Sequence, residues 1–497
     1  MTKDSYQVLE KRYRRIGAIK EAQAILHWDR AVMMPSGSAE GRAAQLAELD
    51  LVIHEILKDP EIEDLLTMAE SEPPSSQAQR SNLAEMRRMQ IHANAIEADL
   101  VVALTEASSK CEMCWRQAKP AGDLKLVSKE LQNLVSLVRK KAEGKAESLR
   151  CRPYEALMDE YEPGLTIQEI DTLFDDLMAF LPKLLEKVLT KQQAAGLIVG
   201  PSGNFPIERQ KDLALTLMTQ LGFNFELGRL DMSLHPFCGG VPEDIRITTR
   251  YSEESFVESL MGVLHETGHA LYERNLPREW RLQPAGEARG MALHESQSLL
   301  VEMQLCRSTE FLEFISPLIK TIFDSRAEQL NTGSLIAYYR RVEPGFIRVD
   351  ADEVTYPFHV VLRYNIEKSL ISGDLLVSDL PGAWNDAMQN LLNIVPPDDQ
   401  RGCLQDIHWF SGSFGYFPTY TMGALAAAQM YAAIQREYPD IGEGVRTGDF
   451  SKITEWCCQK IHRQASLEST SNILINATGE PLNARAFQRH IEARYLT

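Results

Sequence analysis

Residues 252–274 read SEESFVESLMGVLHETGHALYER, and this stretch decides both the fold class and the chemistry. Phe256, Leu260, Val263, Leu264 and Leu271 recur at helical spacing with no internal proline, and Ser252 is placed to cap the first turn. The pattern predicts a helix from Glu253 to Arg274, about five or six turns long. Within it His265-Glu266-Thr267-Gly268-His269 has the form His-Glu-x-x-His. Residues four apart project from one face, so both imidazoles reach a single ion while Glu266 is turned toward a water beside it. Two histidines and an acid on an otherwise apolar helix are costly to bury unless something coordinates them, and zinc suits this donor set.

A catalytic zinc takes a third protein ligand and keeps one position open. The next helical run, Gly290 to Arg307, sets Glu295 among Met291, Leu293, Leu299, Leu300 and Met303. Glu295 is the expected third ligand, with His294 and Glu287 as alternatives. His54 also precedes a glutamate, but Ile56, Leu57 and Lys58 follow where a second histidine would be required, so it reads as a surface helix residue.

Outward from this centre most of the chain reads as helix. Leu9, Tyr13, Ile16, Ile19 and Ile25 mark a stripe from Tyr6 to Trp28, and Ala43 to Leu57 and Ser81 to Leu104 continue in the same manner. Ser71 to Ser76, with Pro73 and Pro74, is a loop between helices. Glu162-Pro163-Gly164 is a turn, and Thr166 with Glu169 has capping-box form. Gly196 to Pro206 is the best candidate for a break between an N-terminal half and the rest. Strands are expected at Ile245 to Thr249 and at Phe346 to Val349; the first precedes the His265 helix, where a sheet edge would pair with an extended peptide.

The 497 residues are 44% apolar and 25% charged, as in ordinary globular proteins. A net charge of -18 argues against coating nucleic acid or an anionic membrane. The start of the chain lacks the pattern of a secretory signal, and no apolar run is long enough to cross a bilayer, which places the chain in the cytoplasm. The eight cysteines suggest no disulfide framework; Cys111 and Cys114 read as two thiols on one helical face. No G-x-x-x-x-G-K-[ST] loop supports ATP-driven work.

Six ordered motifs make the chain similar to the M32 carboxypeptidase family, the carboxypeptidase Taq type. They are His235-Pro236-Phe237, Asp244 to Thr248 (DxRxT), His265 to His269, and His294 to Gln297 (HES/GQ). Ile347 to Asp352 (I/V-R-x-x-A-D) and Gly402 to Trp409 (GxxQDxHW) follow, with Trp28-Asp29 and Tyr161 to Gly164 in support. Val301, where relatives often have Trp, and Asn365, where an acid is usual, depart from the pattern without touching a proposed ligand.

The resemblance implies a mainly α, saddle-like single peptidase domain over 1–497 with a deep groove and a small β-sheet near the zinc. Its N-terminal helical part, about 1–195, covers the groove, and the catalytic part spans about 207–497. It also implies one zinc per chain, with cobalt as the alternative, commonly a homodimer, and removal of single residues from peptides with a free C-terminus at broad specificity. In the expected mechanism Glu266 takes a proton from a zinc-acidified water and returns it to the leaving amine. Tyr416, Tyr420 and His408, similar to a Gly-Tyr-rich segment of related helical zinc peptidases, are candidate donors to the reacting oxygen. A free carboxylate calls for a fixed guanidinium: Arg348 is the first choice and Arg246, in the element that also carries Asp244, the second. The rival for Arg348 is a structural pairing with Asp350 or Asp352. His235 and Gln405 fit groove or supporting positions. The competing readings are a zinc endopeptidase or dipeptidyl carboxypeptidase and, outside enzymes, a zinc-stabilised helical scaffold, against which Glu266 argues.

Overall fold

Helices with one apolar stripe build the first third of the chain. The computed structural model describes residues 5–196, 200–325 and 328–497. Helices α1 (Ser5–Val32), α2 (Ala39–Lys58), α3 (Pro60–Ser71) and α4 (Gln77–Asn94) bury Leu9, Tyr13 and Ile16 against Ile62, Leu66, Leu83 and Met86. Asp59 starts α3 by accepting the Glu61 N–H at 3.0 Å, ahead of Pro60 in the first turn. The expected run from Ser81 to Leu104 is two helices, α4 and α5 (Ala98–Ala121). The chain turns between them where Gly144 packs on Ala95: a Cβ at 144 would stand 2.6 Å from the Ala95 carbonyl oxygen.

Helices α6 (Ser128–Leu149), α7 (Pro153–Met158) and α8 (Ile167–Ala195) follow. Thr166 and Glu169 form the expected capping box, the Glu169 carboxylate accepting the Thr166 N–H at 2.9 Å. The described part of 196–206 is a connection into α9 (Ile207–Gln220); residues 197–199 lie outside the described residues.

The sheet has three strands, β1 (Gly228–Met232), β2 (Phe237–Val241) and β3 (Asp244–Thr249), in the order β1-β3-β2, parallel on one side and antiparallel on the other. Ile245 and Ile247 of β3 pack against Ala214, Met218, Val263 and Ala270. The strand expected at the sheet edge is thus the central one, with β1 and β2 on its two sides.

Next comes α10 (Val257–Arg274), which begins four residues later than the sequence pattern suggests. The preceding residues are held in another shape, the Glu253 carbonyl accepting the Phe205 N–H at 2.8 Å and the Ser252 carbonyl accepting from Gln210 at 2.7 Å. α11 (Met291–Leu299) runs into a π-helical turn, Leu300–Leu305. The remaining helices are α12 (Thr309–Ile322), α13 (Thr332–Tyr339), α14 (Tyr356–Ser372), α15 (Leu380–Leu392) and α16 (Pro418–Glu437). α17 (Ile441–Thr447), α18 (Ser451–Lys460), α19 (Thr470–Thr478) and α20 (Arg485–Leu496) complete the chain. Phe346 to Val349 forms no strand: Gln405 accepts the Arg348 N–H at 2.8 Å and donates to the Phe346 carbonyl at 3.0 Å, folding the segment into a tight turn.

Two large apolar clusters meet on α16, Met422 and Leu425 facing one and Met430 and Ile434 the other. α11 lies between α10 and α16 at close approach. A Cβ on Gly268 of α10 would fall 2.4 Å from the Gln297 carbonyl oxygen, and one on Gly423 of α16 would fall 2.8 Å from the Glu295 Cβ. Only glycine permits both approaches.

Candidate active site

His265 and His269, one turn apart on α10, present their Nε2 atoms to the carboxylate of Glu295 on α11, at 3.9 and 3.4 Å. Ligand atoms of all three residues lie within 4.8 Å of one another. Atoms each about 2.1 Å from a tetrahedral ion stand about 3.4 Å apart, so the spacing fits one dication. The outer ring nitrogens are already engaged. His265 Nδ1 meets Glu302 at 2.9 Å, and Glu302 is in turn held by Arg307 at 2.6 Å. His269 Nδ1 meets His294 Nδ1 at 2.6 Å, and His294 Nε2 reaches Glu273 at 2.8 Å. Such partners fix the tautomer that turns each Nε2 lone pair inward. His294 therefore stands behind His269, outside the three-residue group, and Glu287 pairs with Lys20 at 3.0 Å.

Electrostatics favours a cation here. Burial raises the Glu295 carboxyl, but His265 and His269 outweigh it and bring it to about 2. Burial lowers His265, and Glu295, Glu302 and Glu266 together lift it to about 10. Burial dominates at His269, which falls to about 4. Glu266 is 8% exposed and pushed up to about 7, by burial and by Glu295 against the pull of His265.

A second group of side chains gathers at the start of α16. The rings of Tyr416 and Tyr420 lie 5.1 Å apart, and the Tyr420 hydroxyl is 3.4 Å from His408 Nε2. Burial raises both phenols, with Glu295 among the further causes, so they remain protonated donors beside the ligand set. His408 is lowered to about 4, by burial and then by Arg348 and Arg363 against Asp406. The Arg348 guanidinium lies 4.8 Å from the Tyr420 ring centre, donates to Asp406 at 2.7 Å and to the Tyr356 hydroxyl at 2.7 Å. Asp406 also holds the fully buried Arg363, at 2.6 Å. One carboxylate thus serves two guanidiniums, and the partner of Arg348 is Asp406, not Asp350 or Asp352. The excess positive charge in a buried setting calls for an anion.

Of the other expected residues, Asp244, Arg246 and His235 belong to the sheet region, whereas Gln405 supports the Arg348 turn. Arg246 pairs with Asp244 at 2.6 Å and stacks on Trp28 at 4.2 Å, joining β3 to α1. His235 is exposed between β1 and β2. The Gln405 amide is taken up by backbone groups of 346, 348, 401 and 402. Of the residues missed in the sequence, Glu302 follows Glu295 by seven, two turns on one face, a spacing that was available to find it. Asp406 lies in a quoted motif without a role. Glu162 accepts the Ala292 N–H at 2.9 Å and so caps the helix that carries Glu295. Cys111 and Cys114 are free thiols on α5, and His54 is half-buried on α2.

Over residues 8–495 the chain matches the model described as carboxypeptidase Taq (M32) metallopeptidase. It is 36% identical to thermostable carboxypeptidase 1 of Thermus thermophilus, over 99% of this chain and 98% of that protein. Identity to carboxypeptidase 1 of Bacillus subtilis is 33%, over 97% of this chain and 96% of that one. Among solved structures, metallocarboxypeptidase 1 of Trypanosoma cruzi superposes with a TM-score of 0.97 at 39% identity, covering 99% of each chain.

Proposed function

The chain belongs to the carboxypeptidase Taq (M32) metallopeptidase family, and from that premise we propose that it removes single residues of broad side-chain type from the free C-termini of peptides. The observation that carries this reading is the buried excess positive charge at Arg348 beside the tyrosines of the metal centre. Three of the five N–H groups of Arg348 are engaged among the described residues, leaving two to grip a terminal carboxylate. Arg246 is less suited, being committed to Asp244 and Trp28.

His265, His269 and Glu295 are the proposed holders of one zinc, or cobalt, per chain. When bound, the ion supplies Lewis acidity toward the scissile carbonyl and the attacking water. Glu266 draws the proton from that water and then hands it to the leaving amine nitrogen. Tyr416, Tyr420 and His408 supply hydrogen bonds where negative charge grows on the carbonyl oxygen. Asp406 and Tyr356 keep Arg348 in place so that the scissile bond, one residue inward, meets Glu266. Asp244, Arg246 and His235 line the approach of the peptide, and Gln405 braces the Arg348 turn.

We read the whole of 1–497 as one peptidase unit working in the cytoplasm as a homodimer. Eight free thiols suit a reducing compartment, and no helix among the described residues is long and apolar enough to cross a membrane. The decisive experiment compares an N-blocked dipeptide with its C-terminal amide, for wild type and Arg348→Ala. Hydrolysis of the free acid alone, with kcat/KM falling about 10²-fold or more in the variant, is expected. Equal cleavage of the amide, or release of dipeptides from longer peptides, would transfer the chain to the endopeptidase or dipeptidyl reading.

A further inference from the structure

Glu367 lies four residues beyond Arg363 on α14 and is fully buried. Its Oε2 accepts the Tyr154 hydroxyl at 2.6 Å and the Gly415 N–H at 3.0 Å, while its Oε1 accepts the Trp409 Nε1–H at 2.8 Å. Among the described residues no guanidinium or ammonium forms an ion pair with it, although Arg363 acts on it from a distance. Burying an acid in this way costs several kcal/mol unless its oxygens are satisfied, and an apolar side chain would fill the same space more cheaply. The cost shows in its acidity: burial pushes it up to about 7 despite the three donors.

The donors identify what this carboxylate serves. Trp409 directly follows His408, Gly415 directly precedes Tyr416, and Tyr154 anchors the far side from α7. Gly415 has φ +90°, and a Cβ there would stand 2.9 Å from the backbone of Leu157 and Met158, so this segment is pressed against α7. On the same face of α14, Arg363 holds Asp406. One helical turn therefore grips the 406–415 segment at three points. Rings and hydroxyls hung from that segment move with it.

We propose that Glu367 is a positioning residue for hydrolysis: it sets His408 and Tyr416, and through Tyr416 its ring neighbour Tyr420, by clamping the backbone and indole that flank them. The proposal rests on reading those three residues as donors to the reacting oxygen. It also makes the carboxylate irreplaceable by its amide. A glutamine has one acceptor oxygen, so whichever way it turns, its NH₂ faces either the Trp409 N–H or the Gly415 N–H. Tyr154 can rotate its O–H away, but the other two donors cannot.

The test uses the full-length, metal-loaded enzyme and four forms: wild type, Glu367→Gln, Trp409→Phe, and the double variant in which the indole donor is gone. Glu367→Gln is expected to lower kcat about 10²-fold with KM and the zinc dissociation constant within about twofold of wild type. The double variant is expected to recover kcat about tenfold over Glu367→Gln, because removing one donor relieves the donor–donor conflict. Tyr154→Phe, a milder loss at the same carboxylate, is expected to lower kcat severalfold and keeps the test alive if Glu367→Gln does not fold. Wild-type kcat in Glu367→Gln, a double variant worse than both singles, or wild-type kcat in Tyr154→Phe each overturns the proposal. Tyr416→Phe and Tyr420→Phe, measured in parallel, separate the two readings. If both are silent while Glu367→Gln is impaired and rescued, the donor reading fails alone; if both are impaired while Glu367→Gln is silent, the positioning proposal fails alone.

Discussion

Glu266→Gln keeps the size and one acceptor oxygen of the side chain while removing its titratable group. Because the proposed holders of the metal are His265, His269 and Glu295, this variant is expected to retain the ion and lose about 10³-fold in kcat, the range for general acid–base catalysis. Metal analysis beside steady-state kinetics checks it, and comparable turnover would remove Glu266 from the mechanism. At this scale the sequence was informative where spacing alone dictates geometry. His265, Glu266 and His269 follow from four residues making about one helical turn, and Glu295 from an acid amid apolar neighbours. Asp406 and Glu367 were not assigned roles, because their partners lie 43 to 58 and 42 to 213 positions away and no local pattern joins them; Glu302, two turns beyond Glu295 and held by nearby Arg307, was passed over although its spacing was local.

Among the elements, the last helix is fastened electrostatically. Glu353 accepts from His490 at 2.7 Å, Arg494 at 3.1 Å and the Tyr495 hydroxyl at 3.2 Å, all on α20. Burial raises its carboxyl, but His490 and Arg494 outweigh this and bring it to about 2, below the ordinary 4.5. A depressed carboxyl contributes stability that is complete above the unfolded value and disappears as pH falls through the folded one. Glu353→Ala is thus expected to cost about 3–5 kcal/mol near neutrality. Its melting temperature is expected to converge on that of wild type as pH drops from about 4.5 toward about 2. Thermal unfolding across pH measures this, and a constant gap would rule out the ionic fastening. The helices themselves were legible through periodicity, whereas β1 and β2 were not. Gly228 to Met232 and Phe237 to Val241 have little strand preference of their own and become strands by pairing with β3.

For the whole molecule, the question is whether metal holds the protein together or only equips it. The rings of His265 and His269 are oriented by Glu302 and His294, and the apolar clusters on either side of α16 form among side chains alone. Chelation is therefore expected to abolish hydrolysis while leaving helix content intact and lowering the melting temperature by a few degrees, the linkage contribution of one bound ion. Unfolding at room temperature on chelation would instead support the scaffold reading. The mainly helical class with a small sheet was readable in advance; the three-helix sandwich at α11 was not, since nothing local marks Gly268 and Gly423 as contact points. That sandwich has a bearing on which ion the enzyme prefers. With the Gly268 main chain against the main chain of α11 and Gly423 against the Cβ of Glu295 itself, the width of the proposed metal seat is fixed like a gauge. A methyl group at either glycine wedges the gauge open without deleting a ligand. Gly423→Ala is accordingly expected to shift preference from zinc toward the larger cadmium ion, which a direct competition between the two metals would reveal.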